Sequence, residues 1–232
     1  MSKKNVLLKS LVIGFFCIFL VAPIILAQES DQKTGKVDIQ NKNLGTAILK
    51  SKMSNLTKTD EEMKALHDKL TQLGYEPLTS RTNYFGQENV LRDRLNNKSL
   101  KHSIIVQDYS KKDSKDSAAL IQITLSGEGR SEYYSFYLIA PQGDFKNAEE
   151  YRADPISLGV TKANSWWSCV QSRLGECGAT CLGSLLTCPK ANWAGYLACV
   201  AVRCGGCYTR IAACCTCNCS WWCKWGAGCC QQ

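Results

Sequence analysis

Fourteen of the fifteen cysteines in this 232-residue chain fall within residues 165–232: Cys169, Cys177, Cys181, Cys188, Cys199, Cys204, Cys207, Cys214, Cys215, Cys217, Cys219, Cys223, Cys229 and Cys230. Thiols at such density either oxidise in pairs or hold metal as thiolates. The Cys215, Cys217, Cys219 cluster has the spacing of a thiolate cage, but all six tryptophans share the segment, and a cage has no use for them. An exported chain meets an oxidising medium, which favours disulfides at all fourteen positions, with no metal and no cofactor. Fourteen is even, and on the order of 10^5 complete pairings are open to them.

The elements that must position these thiols read as short apolar helices. Cys177, Cys181 and Cys188 are four and seven residues apart, the spacing of one helix face. Two helices are expected, about 169–187 and 191–203, joined through Cys188-Pro189-Lys190. The stretch 214–232 is too dense in cysteine for regular structure and reads as a stapled knot around Trp221, Trp222 and Trp225. Adjacent pairs, Trp166-Trp167 and Trp221-Trp222, should not both point inward. Exposed indoles beside Lys190, Arg203, Arg210 and Lys224 are what a membrane interface uses, so these four cations with Trp166, Trp167, Trp221, Trp222 and Trp225 are the expected contact set.

The rest of the chain is laid out as a carrier. Residues 1–27 have Lys3 and Lys4, an apolar run 11–26 broken by Pro23, and a small residue, Ala27, before a polar change, the form of a secretory signal cleaved near Ala27. Cys17 lies in that run and is a bystander. Residues 28–58 read as a polar, mobile lead segment. A helix begins at Thr59, which makes a capping box with Glu62; Met63, Leu66, Leu70 and Leu73 follow at helical spacing, and Gly74 stops it. A weaker helical pattern spans 87–95, and strand-like runs cover 103–109, 118–126 and 132–140. The expected fold class is therefore α+β: a small pro-domain, 59–141, with one helix on a three-stranded antiparallel sheet, then a linker, 142–164, holding a processing site, then a disulfide-rich, mainly helical peptide, 165–232.

Net charge is +8, divided as +3 in residues 1–27, +1 in 28–162 and +4 in 163–232. Five cations scattered among tryptophans and cysteines are not a nucleic-acid face; an anionic cell envelope suits them better. His67 and His102 have no acid, cysteine or histidine at ligand spacing and read as surface residues. Asp60, Glu61 and Glu62 complement a helix start. With no nucleophile elbow and no phosphate-cradling glycine loop, an enzyme is not expected.

A signal, a cysteine-free middle and a cysteine-dense apolar peptide of about 70 residues, Ser165 to Cys230, resemble the precursors of the halocin C-eight type, the microhalocins, and their bacterial bacteriocin-like relatives. The resemblance implies a C-terminal antimicrobial peptide that acts on related cells, and an N-terminal part that can hold the peptide and serve in immunity. The implied partners are a target-cell membrane or envelope receptor, the chain's own pro-domain, and the secretion and processing machinery. Lys3-Lys4, where a twin-arginine pair would stand, points to the general secretory route. The alternative is a non-toxic extracellular or cell-surface disulfide-rich binding module.

Overall fold

The computed structural model describes residues 37–93, 98–163 and 166–216, all within one compact unit, Thr34–Gln232. Expectations for residues 1–36, including the signal, and for Cys217, Cys219, Cys223, Cys229, Cys230, Trp221, Trp222, Trp225 and Lys224 lie outside the described residues.

The centre is an antiparallel sheet of eight strands: β1 (Val37–Asn43), β2 (Tyr75–Pro77), β3 (Tyr84–Asp93), β4 (Ser99–Lys111), β5 (Ser117–Gly127), β6 (Arg130–Ala140), β7 (Glu149–Ala153) and β8 (Val160–Ala163). The order is β1-β3-β4-β5-β6-β7-β8, with β2 beside the end of β4. Chain neighbours are sheet neighbours from β3 to β8, a meander closed by short turns.

Both faces of the sheet are apolar. In β5, Ala119, Ile121 and Ile123 point one way, Ala118 and Leu120 the other, and all five are buried. Helices α1 (Thr46–Thr59) and α2 (Glu61–Gln72) cover the second face through Leu49, Met53, Met63, Leu66 and Leu70. Helix α1 lies so close to β3 that a Cβ on Gly86 would sit 2.1 Å from Leu49 Cδ2, so this approach needs glycine. The first face is covered by the C-terminal tail: α3 (Trp166–Arg173), a 3-10 turn (Leu174–Cys177), α4 (Ala179–Thr187) and α5 (Trp193–Thr216). The result is three layers, helices on both sides of one sheet.

This corrects the expected fold. The sheet has eight strands and two covering helices where three strands and one helix were expected for 59–141, and the tail belongs to the same core rather than following it as a separate peptide. The lead segment 28–58 contains β1 and α1, the weak helical pattern at 87–95 falls largely in β3, and the linker 142–164 contains β7 and β8. The start of α2 shifts as well: the Asp60 carboxylate accepts from Met63 N at 3.0 Å, while Thr59 Oγ1 donates back to Asn55 O at 3.0 Å and closes α1.

Candidate functional site

The tail is built around its thiols. Among the described residues four disulfides join Cys169–Cys215, Cys177–Cys207, Cys181–Cys204 and Cys188–Cys199, with Cα separations of 4.9–5.8 Å. Each ties the segment 169–188 to α5, in strictly nested order, so the bridges fasten two antiparallel arms. Cys214 is also disulfide-bonded. The expected single helix face for Cys177, Cys181 and Cys188 is only partly right: Cys177 ends the 3-10 turn and Cys188 follows α4, yet all three meet α5. The expected second helix, 191–203, matches the first part of α5: at Gly205, φ 54° and ψ −139°, the backbone leaves helical geometry, and a second helical stretch continues from there to Thr216. By length and composition α5 could cross a membrane, although over half of it is buried in this fold.

The tail's large side chains do not pack on one another alone; they pack on the sheet. Trp166, Trp167 and Trp193 are 2 %, 1 % and 0 % exposed and share a cluster with Ile104, Val106, Ile121, Phe136 and Leu138. Phe145, from the loop after β6, packs with tilted rings 4.4 Å from Trp193 and 5.0 Å from Tyr196, centroid to centroid. The indoles find acceptors in the sheet unit: Trp167 Nε1 donates to Phe145 O at 2.7 Å and Trp193 Nε1 to Ser117 O at 3.2 Å. Trp166 Nε1 instead reaches Ala212 O of α5, at 3.2 Å. The expected exposure of Trp166 and Trp167 is therefore corrected. Successive helix positions are about 100° apart, and here one ring faces Phe136 and α5 while the other faces Phe145.

Two buried carboxylates of the sheet fix where the tail helices begin. Asp108 of β4, 1 % exposed, accepts from Ala194 N at 3.0 Å, and Glu150 of β7, also 1 % exposed, accepts from Trp166 N at 2.6 Å. Each thus satisfies backbone N–H groups at a helix start that would otherwise be stranded in the core. Burial raises both groups: Asp108 is pushed up to about 7 against the opposing pull of the Ala194 and Trp193 amides, and Glu150 goes up despite its ion pair with Arg152 at 2.8 Å.

Sequence reasoning had assigned neither acid a role. The signal was there for Asp108, an acid inside the apolar run Ile104-Ile105-Val106-Gln107-Asp108-Tyr109. His102 was expected at the surface and is 1 % exposed on the tail-facing side, its Nδ1 3.3 Å from Asn89 Nδ2; burial lowers it to about 4. His67 is half-buried and its Nδ1 lies 2.7 Å from the Tyr109 hydroxyl. No group of metal-ligating side chains occurs among the described residues.

The outer side of the tail, away from the sheet, carries Leu182, Leu186 and Val202 at 48 %, 81 % and 73 % exposure. Of the expected contact cations, Lys190 and Arg203 are exposed, Arg203 donating to Thr187 Oγ1, and Arg210 is half-buried. Comparison with protein-family models, with curated proteins and with solved structures found no match to this chain.

Proposed function

We propose that the chain is the precursor of a secreted, disulfide-stabilised antimicrobial peptide of the halocin C-eight-like kind, with residues 37–163 acting as the carrier that keeps the peptide inactive. The observation that carries this reading is the burial of Trp166, Trp167 and Trp193 on the sheet: the groups suited to a membrane interface are hidden for as long as the tail stays docked. The four described bridges all lie within the tail, so a cut at 164–165 leaves the two parts joined there by non-covalent contacts alone. Such a carrier could also bind tail that returns to the producing cell, which is the immunity role. Disulfides belong to oxidising compartments, in keeping with export past a signal cleaved near Ala27. On release the indoles join Leu182, Leu186 and Val202 and the cations Lys190, Arg203 and Arg210 at the target envelope.

The test is growth inhibition of related Gram-positive lawns by oxidised tail, cut from the whole chain at 164–165 and purified. Inhibition by the tail, none by the uncut chain, and suppression on adding back the N-terminal part are expected. A tail inactive across a broad panel overturns the reading. One observation favours the alternative, a non-toxic extracellular binding module: the tail and the sheet share one apolar core, as an integrated domain would. Recovery of only uncut chain from the culture medium would decide for that alternative.

A further inference from the structure

The tail contains too little of its own core to explain how its cysteines find one another. Its largest buried side chains complete their packing on the sheet, while Leu182, Leu186 and Val202 stay exposed on the other side. Fourteen tail cysteines paired at random include these four bridges in only about one of 9,000 cases. The register that brings these pairs within bonding distance is set by where α3 and α5 begin relative to each other, and both starts are fixed by the sheet unit, through Glu150 and Asp108. The sheet unit itself has no cysteine, so its fold does not wait on oxidation.

We propose that residues 37–163 are a folding template for the tail: the reduced tail docks first, its helix starts are seized by Asp108 and Glu150, and the bridges then form between thiols already aligned. The oxidant is a disulfide, either a small molecule such as oxidised glutathione or an exported thiol oxidase. One tail thiolate attacks the oxidant's S–S bond, forming a mixed disulfide and expelling one thiol. The paired tail thiolate then displaces the second thiol. Each tail bridge gives up two electrons and two protons, and one oxidant disulfide becomes two thiols. The two acids recognise backbone amides rather than side chains, so the template selects helical tail over unfolded tail. This role stands whether or not the released tail kills.

The full-length chain, reduced in denaturant, is returned to a buffer of reduced and oxidised glutathione, quenched by alkylation and mapped by mass spectrometry. The four described bridges are expected to dominate. In the Asp108→Ala/Glu150→Ala double variant their rate of formation is expected to fall roughly tenfold, with scrambled pairs in their place. Equal rate and the same map in the variant overturn the proposal. Because the variant could lose its sheet, a second measurement uses the unaltered chain held fully reduced: indole N–H exchange at Trp167 and Trp193. Protection well above that of free tryptophan is expected; exchange as fast as in free tryptophan shows that docking follows the bridges, and the template idea fails.

Discussion

The two faces of the sheet are covered by opposite means. On one, α1 and α2 come from residues adjacent in sequence to the strands they cover, contain no cysteine, and bury aliphatic side chains in the ordinary amphipathic way. On the other, α3 to α5 come from the far end of the chain, are cross-linked four times to one another, and bury indoles. The tail's bridges hold its helices together without tying them to the sheet. The first cover is local to the strands it packs on; the second, in the proposed reading, is the part the chain releases.

The largest effects should separate the two covers. Trp193→Ala removes a fully buried indole and its bond to Ser117 O, at a cost of about 3–5 kcal/mol, and leaves the α1/α2 face intact. Leu66→Ala costs about 2–5 kcal/mol on the other face and weakens the carrier itself. With the chain cut at 164–165, the first variant is expected to shed its tail on gel filtration with the carrier still folded by circular dichroism. The second should lose both together. If both variants shed the tail with the carrier equally folded, the division between the faces is wrong.

Next in size is a pH effect confined to the tail side. Asp108 rises from 3.8 to about 7 in the fold, so its contribution is full below about pH 4 and is lost as pH rises through 7. His102 falls from 6.5 to about 4, so its contribution is full above pH 6.5 and is lost as pH falls through 4. Between these limits the two linkages oppose each other and cancel. Relative to the unaltered chain, Asp108→Asn is expected to gain stability with rising pH by up to about 1.4 kcal/mol per unit, and His102→Gln to lose about as much. Urea midpoints at pH 4.5, 5.5 and 6.5 measure it; parallel lines for all three chains would mean that neither group titrates as described.

Much of the carrier was legible in the sequence. The spacing of Met63, Leu66 and Leu70 marked α2, the runs that became β5 and β6 were found to within two residues of their ends, and the run 103–109 marked the middle of the longer β4. What escaped were elements whose buried positions are few or polar. Helix α1 buries only Leu49 and Met53 in an otherwise polar segment, and β3 turns Gln87 and Asn89 inward beside Leu91, so its alternation is blurred. The strands β7 and β8 are charged, and the one fully inward charge there, Glu150, is explained only by a helix that starts sixteen residues later. The shared core was foreshadowed by the nearly unbroken apolar run 118–123, since a strand buried on both faces needs no alternation. That the cover for the second face would be the cysteine-rich tail depends on contacts between residues far apart in the chain, 110 positions for Asn192 and Thr82 and 168 for Thr209 and Asn41, which no local pattern encodes.

A smaller contrast sits in two glycines. At Gly86 an added Cβ would meet Leu49, which is itself 2 % exposed and has little room to yield, so Gly86→Ala should cost about 1–3 kcal/mol. At Gly206 of α5 the nearest atom, Ile39 Cδ1, is 3.2 Å away, a gap that a few tenths of an ångström would relieve. The gain of alanine over glycine in a helix, about 1 kcal/mol, offsets that shift, and Gly206→Ala should come out close to neutral. Thermal midpoints of the two variants test it; a Gly206→Ala loss as large as that of Gly86→Ala would mean that α5 is held as rigidly against the sheet as α1 is.

The smallest expected effect compares two ion pairs of similar chemistry. On the α1 side Lys52 Nζ meets Glu88 Oε1 at 3.2 Å with both side chains over 40 % exposed. On the tail side Arg152 meets Glu150 at 2.8 Å, and there the Glu150 side chain is wholly buried and also holds the start of α3. Water screens the first pair, so Lys52→Ala should change stability by less than about 1 kcal/mol and by still less in high salt. In the second, Arg152→Ala leaves a buried carboxylate with only backbone amides for company, and its loss should exceed that of Lys52→Ala and persist in salt. Urea titrations of both variants with and without added sodium chloride make the comparison. If Arg152→Ala proves as mild and as salt-sensitive as Lys52→Ala, water reaches Glu150, and the tail is held at α3 far more loosely than at the Asp108 end of the interface.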